Sequence, residues 1–208
     1  MAVTLRMRVV FSSFAVGIWP LSIGALVVLL ILLWYRKRGV PYLICFFIFG
    51  VYLLYVLDKI FFPIYISGDY VDALRERPVA SAINLNPLYF GRSGTLQTAL
   101  PGLLMNIILT IPFGFGVNFI RRIGAQHVIW IALAVGLIFE GAQLLISLML
   151  RYPYRQIDIN DVSMNALGTV IGYTLFRLFA WFYVWITHRL EIKHRGLGSY
   201  VYDVVNSI

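Results

Sequence analysis

Long apolar runs broken by short polar clusters set the pattern of the chain. They predict an all-α, polytopic membrane helix bundle of about five spans, since about 20 apolar residues cross a bilayer. The runs are approximately Val16–Trp34, Pro41–Leu57 with an extension towards Ile60, Leu100–Ile120, Val128–Leu150 and Asp161–Ile186. Arg36-Lys37-Arg38, Asp58-Lys59, Arg121-Arg122 and Arg151–Arg155 punctuate them. Trp19, Trp34, Trp130, Trp181 and Trp185 fall near run ends, as an aromatic belt requires. The pattern divides the chain into an N-terminal segment (1–15), a transmembrane domain (16–186) and a basic C-terminal tail (187–208). Arg6 and Arg8 before an apolar stretch resemble a signal sequence, but the stretch runs on to Trp34 without a clear cleavage site and is read as a retained helix.

A longer segment, Tyr65 to Gln97, separates the second and third runs. Its charges, among them Asp69, Asp72, Arg75, Glu76, Arg77 and Arg92, place it in water or headgroups. The more apolar part, Ala80 to Phe90, is expected at the membrane interface, because backbone without internal hydrogen bonds is not tolerated against lipid. Pro112 removes one helical hydrogen bond from the third run and is expected to kink it.

Composition agrees. Hydrophobic residues make up 61% of the chain and charged ones 12%, whereas soluble domains have roughly 45–50% and about 25%. The chain has too little polar surface to cover itself in water. The net charge of +8 comes from basic residues at the ends of apolar runs. That placement points to topology signals and anionic headgroups; no nucleic-acid motif accompanies it. Tightly clustered charges at Arg36–Arg38, at Arg121-Arg122 and around Arg189, Lys193 and Arg195 are assigned to the cytoplasm. The N-terminus and the loops carrying Arg75, Arg77, Arg92, Arg151 and Arg155 are then outside. Cys45 is the only cysteine, which excludes an internal disulfide or a cysteine-based zinc site.

Polar residues inside the runs gather towards one region. Asp158, Asp161 and Asn165 are spaced i, i+3 and i+7, one face of a helix. Gly168 and Gly172 continue near that face in a small-xxx-small pattern that admits another helix. Glu140 and Gln143 share a face of the preceding run, with Ser147 a turn further on, and the connection between the two runs is short. Asn106 and Thr110 could supply a third wall beside Pro112, Gly114 and Gly116. Each feature also has a plain structural reading. Asp158 and Asp161 suit a helix N-cap and first turn, Asn106 and Asn165 suit interhelical hydrogen bonds, and the glycines suit packing. Glu140 is harder to explain that way, since a carboxyl in a bilayer pairs with a partner or faces a cavity. Its expected partner is Arg155 or Arg151, reached across the short connection; the alternative is a protonated carboxyl with Gln143 as a donor. The functional reading is a polar pocket of Asn106, Glu140, Gln143, Arg155, Asp158, Asp161 and Asn165. Arg155 would present a planar donor fork to a phosphate or carboxylate. Glu140, Asp158 and Asp161 form a weaker candidate set for a divalent cation. No cofactor is expected. His127, His188 and His194 fall at the ends assigned to the cytoplasm, away from the acids.

These residues also carry a resemblance. Asn84-Leu85-Asn86-Pro87, Asn106 through Phe115, Glu140-Gly141-Ala142-Gln143, Arg155 through Val162, and Asn165 through Gly168 with Gly172-Tyr173 are similar, in order and spacing, to the VanZ-like family of small bacterial membrane proteins. The similarity covers about Ile83 to Tyr173, and Asn86 stands where the family usually has isoleucine. The resemblance implies a multi-pass protein of the bacterial plasma membrane, linked through the founding member to teicoplanin-type glycopeptide resistance. It implies no biochemical mechanism. Three readings follow: a non-enzymatic envelope protein whose outward pocket binds a lipid-linked cell-wall precursor, a glycopeptide or another lipophilic ligand, a membrane enzyme acting on a lipid phosphate or carrier, and a small proton-coupled transporter or flippase. Membrane lipids are expected partners in all three.

Overall fold

Five long apolar helices arranged as successive antiparallel passes make the body of the protein. The computed structural model describes residues 14–16, 19–89 and 95–207. The passes are α1 (Trp19–Tyr35), α2 (Val40–Phe61), α4 (Leu96–Gly116), α5 (Ala125–Leu150) and α6 (Ile159–Arg189). Between them lie short α3 (Asp69–Arg75) and, after α6, α7 (Leu197–Val205). Four passes, α2, α4 with its 3-10 extension to Phe119, α5 and α6, are long and apolar enough to cross a membrane. α1 is shorter, 17 residues, or about 26 Å against a hydrocarbon core of about 30 Å. Among the described residues, this 17-residue apolar helix is the fifth expected span.

The segment between α2 and α4 has more regular structure than its charge pattern predicts. β2 (Ile64–Ser67) pairs antiparallel with β1 (Phe14–Val16). Further on, β3 (Ile83–Asn84) pairs parallel with β4 (Ile157–Asp158), which joins α5 to α6. Val71 of α3 is fully buried, and the Tyr152 hydroxyl donates to the Tyr65 carbonyl. These contacts tie the segment to the end of the bundle at which α4 and α6 begin. Expectations for Arg6, Arg8, Phe90 and Arg92 lie outside the described residues.

α6 is the central helix, packed most extensively on α4 and next on α5. α4 and α6 run parallel and approach backbone to backbone. A Cβ on Gly168 would strike the Thr110 hydroxyl and the Ile107 carbonyl; one on Gly172 would strike the Ile111 carbonyl; one on Gly114 would strike the Thr169 carbonyl. Glycine is therefore the residue that permits this crossing. Gly136 plays the same part between α5 and α6, where a Cβ would lie 2.6 Å from the Val162 carbonyl. Pro112 is exposed, and α4 continues through it as one helix. Most remaining side chains on the outer faces are exposed and apolar, Val28, Ile48, Leu137 and Leu178 among them, as a surface solvated by lipid requires.

At the far end, α7 folds back onto α6. Val204 and Val205 join Phe176 and Ala180 in a buried cluster ringed by Phe115, Phe119 and Tyr183. The stretch read above as a basic tail is thus in part an amphipathic helix. His194 stacks on Tyr202 at 4.3 Å and His188 bonds the Tyr202 hydroxyl at 3.0 Å, so the histidines serve this end, away from the acids.

Candidate functional site

α4 and α5 both pack on α6, and at the end where α6 begins they leave a polar cleft in front of it. Asn106 comes from α4, Glu140 and Gln143 from α5, and Asp161 and Asn165 from α6. The α5–α6 connection adds Tyr154, Arg155 and Gln156, and the last turn of α2 adds Lys59 and Ile60. The cavity measures about 530 Å³, within the roughly 300–1,000 Å³ of small-molecule sites. Leu109 and Phe139 form part of its apolar wall.

Six of the seven residues proposed from the sequence line this cavity; Asp158 does not. Its carboxylate caps α6, accepting from the Asn160 backbone N–H at 2.8 Å, and also accepts from Asn84 Nδ2 at 3.0 Å and from Asn160 Nδ2 at 2.9 Å. That satisfies it with amide donors, leaving it a helix cap and a clamp on β3. Asn160 Oδ1 in turn accepts the Leu88 N–H at 2.8 Å. The two asparagines hold the 83–89 turn against the start of α6. The Asn-x-Asn-Pro and Asp-x-Asn-Asp patterns therefore meet in space, 74 residues apart. The separate patterns were visible in the sequence; their pairing was not.

Glu140 makes no hydrogen bond or close ion pair with Arg155 or Gln143. Its carboxylate accepts the Asp158 backbone N–H at 2.9 Å. Gln143 donates instead to the Ile60 carbonyl at 3.2 Å. Arg155 donates through Nη2 to the Phe62 carbonyl at 3.1 Å, filling an acceptor just past the end of α2. Among the described residues Glu140 forms no ion pair, although it is only 6% exposed. Thr110, expected as part of the third wall, turns back on its own helix and donates to the Asn106 carbonyl at 2.8 Å. Asn106 does reach the cavity, with its amide facing Asp161.

Two buried polar atoms at the cavity have no protein partner, Asn165 Oδ1 and the Tyr154 hydroxyl. Asn165 is 2% exposed. Buried polar atoms are normally satisfied, so a lone acceptor here leaves room for a donor from a ligand or from water. Burial pushes the Tyr154 hydroxyl up to about 12, with Arg155 opposing and Glu140 adding to the shift. Tyr154 is therefore a neutral donor at physiological pH. Lys59, which stood in the sequence only as a charge at the end of an apolar run, and Tyr154, to which the sequence pattern assigned no role, are additions to the site. Among the described residues no group of three His, Cys, Asp or Glu side chains could hold a metal ion. The cation set of Glu140, Asp158 and Asp161 is thus not assembled: Asp158 points to the asparagine clamp.

Fold and cleft together define a polytopic α-helical membrane protein with a polar cavity at one end of its bundle. The chain belongs to the VanZ/LLP1 family, which it matches over residues 47–180, more than half its length. Comparison with curated proteins and with solved structures gives no match.

Proposed function

We propose that the cavity holds the polar head of a lipid-linked or lipophilic ligand at the outer face of the bacterial plasma membrane, and that this binding changes how the envelope meets teicoplanin-type glycopeptides. The observation carrying the reading is the buried, unpartnered Asn165 Oδ1 inside a cavity lined by both acids and bases. Lys59 and Arg155 offer cationic donors to a phosphate or carboxylate. Glu140, Asp161 and Asn165 Oδ1 offer acceptors deeper in. That division suits a head with an anionic group and several hydroxyl or amide donors, such as a lipid-linked cell-wall precursor. The apolar wall at Leu109 and Phe139 suits the start of a lipid chain.

The test is growth under teicoplanin in a strain lacking the native gene. Restoring the parent chain is expected to restore protection. Glu140→Gln and Asn165→Leu are expected to abolish it at unchanged membrane abundance. No protection by the parent chain overturns the glycopeptide reading. Protection by the parent and by both variants moves the active surface away from the cavity.

One observation favours a second reading. A buried carboxyl without an ion pair in a membrane protein suits a proton site, and Glu140, unpaired among the described residues, fits that description. Under proton-coupled transport, Glu140→Gln would uncouple substrate flux from an imposed proton gradient in proteoliposomes. Under the binding reading no gradient-dependent flux is expected.

A further inference from the structure

A second cavity lies at the opposite end of the bundle, beside the turn from α4 to α5, with a volume of about 590 Å³. Arg121, Arg122 and His127 line its polar part; Trp130, Ile131 and Ala134 line a wall that descends along α5. Neither arginine forms an ion pair among the described residues. Trp130 is 70% exposed on a helix that crosses the membrane.

The turn is held in place from below. Asn118, 1% exposed, donates to the Gly114 carbonyl at 3.2 Å, and its Oδ1 accepts the Ile123 N–H at 3.4 Å. Ile123 is itself buried. The Tyr200 hydroxyl of α7 donates to the Phe119 carbonyl, a contact from a different element. The two arginines therefore project from an ordered turn. A guanidinium pair is matched to phosphate oxygens by its donor forks. The indole and aliphatic wall is matched to the first carbons of an acyl chain at the interface. A soluble anion would use the arginines and leave that wall bare.

We propose that this juxtaposition of Arg121 and Arg122 with the Trp130 wall is a binding site for an anionic phospholipid, with the headgroup phosphate on the arginines and an acyl chain along α5. Arg36-Lys37-Arg38 supplies a similar charge cluster on another turn but lines none of the cavities described. The site is independent of the cleft at the other end.

The experiment is native mass spectrometry of the delipidated full chain in detergent, titrated with dioleoyl phosphatidylglycerol or dioleoyl phosphatidylcholine. The parent is expected to hold phosphatidylglycerol about tenfold more tightly. Arg121→Gln with Arg122→Gln is expected to bring the two lipids level, whereas Arg36→Gln with Lys37→Gln keeps the preference. Loss of preference in both pairs means general electrostatics and overturns the site, as does its survival in the Arg121 and Arg122 pair. Displacement of the lipid by millimolar inorganic phosphate overturns the lipid assignment. If the double variant does not fold, a second measurement decides: quenching of Trp130 by brominated lipids after the other four tryptophans are changed to phenylalanine. Stronger quenching by brominated phosphatidylglycerol than by brominated phosphatidylcholine supports the site, and equal quenching overturns it.

Discussion

At the residue scale, Asp158 and Glu140 have opposite roles although both are carboxylates of one motif region. Asp158 accepts at least three amide N–H bonds and holds the start of α6 to β3. Glu140 accepts one, from Asp158's own backbone, and otherwise faces the cavity. Substitution separates the two. Asp158→Ala removes the cap and the Asn84 acceptor and is expected to destabilise the protein by about 1–2 kcal/mol, the usual range for a lost cap. Asp158→Asn keeps an oxygen for the Asn160 N–H and is expected to recover most of that loss. Glu140→Gln keeps an oxygen for the Asp158 N–H and is expected to unfold at the parent's temperature. Thermal unfolding in detergent checks all three. An Asp158→Ala protein as stable as the parent contradicts the cap, and a strongly destabilised Glu140→Gln protein makes Glu140 structural.

At the element scale, the parallel α4–α6 crossing is what places Asn106 opposite Asp161 and Asn165. Gly114, Gly168 and Gly172 allow the two backbones to approach, and in each case an added Cβ meets backbone atoms that cannot swing aside. Alanine at Gly168 or Gly172 is therefore expected to destabilise the fold by about 1–3 kcal/mol through overpacking. Gly141 is the internal control: nothing lies within 4 Å of a Cβ there. Gly141→Ala should be neutral or stabilising by up to about 1 kcal/mol, because alanine is the better helix former. If Gly172→Ala and Gly141→Ala melt together, the close crossing is wrong. The sequence spacing of Gly168 and Gly172 announced a helix contact but not its partner, since α4 precedes α6 by two passes. Helix α7 was hidden for another reason. Its apolar positions, Tyr200, Val201, Val204 and Val205, cover less than two turns after a run of basic residues, so charge outweighed periodicity.

At the scale of the whole molecule, the four long spans were legible because length and hydrophobicity are set by the bilayer and need no tertiary information. The gathering of the cavity residues at one end was legible too, from helical spacing and a short connection. Their bonding was not. Arg155 was expected at Glu140 because opposite charges attract over a short loop. The folded chain instead offers Arg155 the carbonyls at the end of α2, 93 or more residues away in sequence. Glu140 receives a backbone N–H that becomes available only where Ile157-Asp158 extends as a strand. Long-range backbone acceptors and donors of this kind leave no trace in side-chain patterns.

The alternation of passes also fixes which residues share a membrane face, and this gives the proposed orientation a sharp test. Lys59, Arg75, Arg77, Arg151 and Arg155 stand at the cavity end, and Arg36, Lys37, Arg38, Arg121, Arg122, Arg189, Lys193 and Arg195 at the other. With Arg6, Arg8 and Arg92 assigned from the sequence to the cavity side, the two sides carry eight each. Clustering, not number, sets the orientation: the charges opposite the cavity are packed tightly against short turns, as on a cytoplasmic face, so the cavity is expected to open outward. Arg77 and Gln97 are exposed at the cavity end, and Arg36 and Lys193 at the other. Single cysteines at these four positions, in a Cys45→Ser background, can be treated in intact cells with an impermeant thiol reagent. Labelling is expected at positions 77 and 97, and at 36 and 193 only after the membrane is opened. The reverse pattern turns the cavity to the cytoplasm and removes the basis for a glycopeptide role. Labelling of one position from each pair in intact cells would contradict the alternation of passes itself, because helices joined as α1–α2 and α5–α6 must return the chain to the face it left.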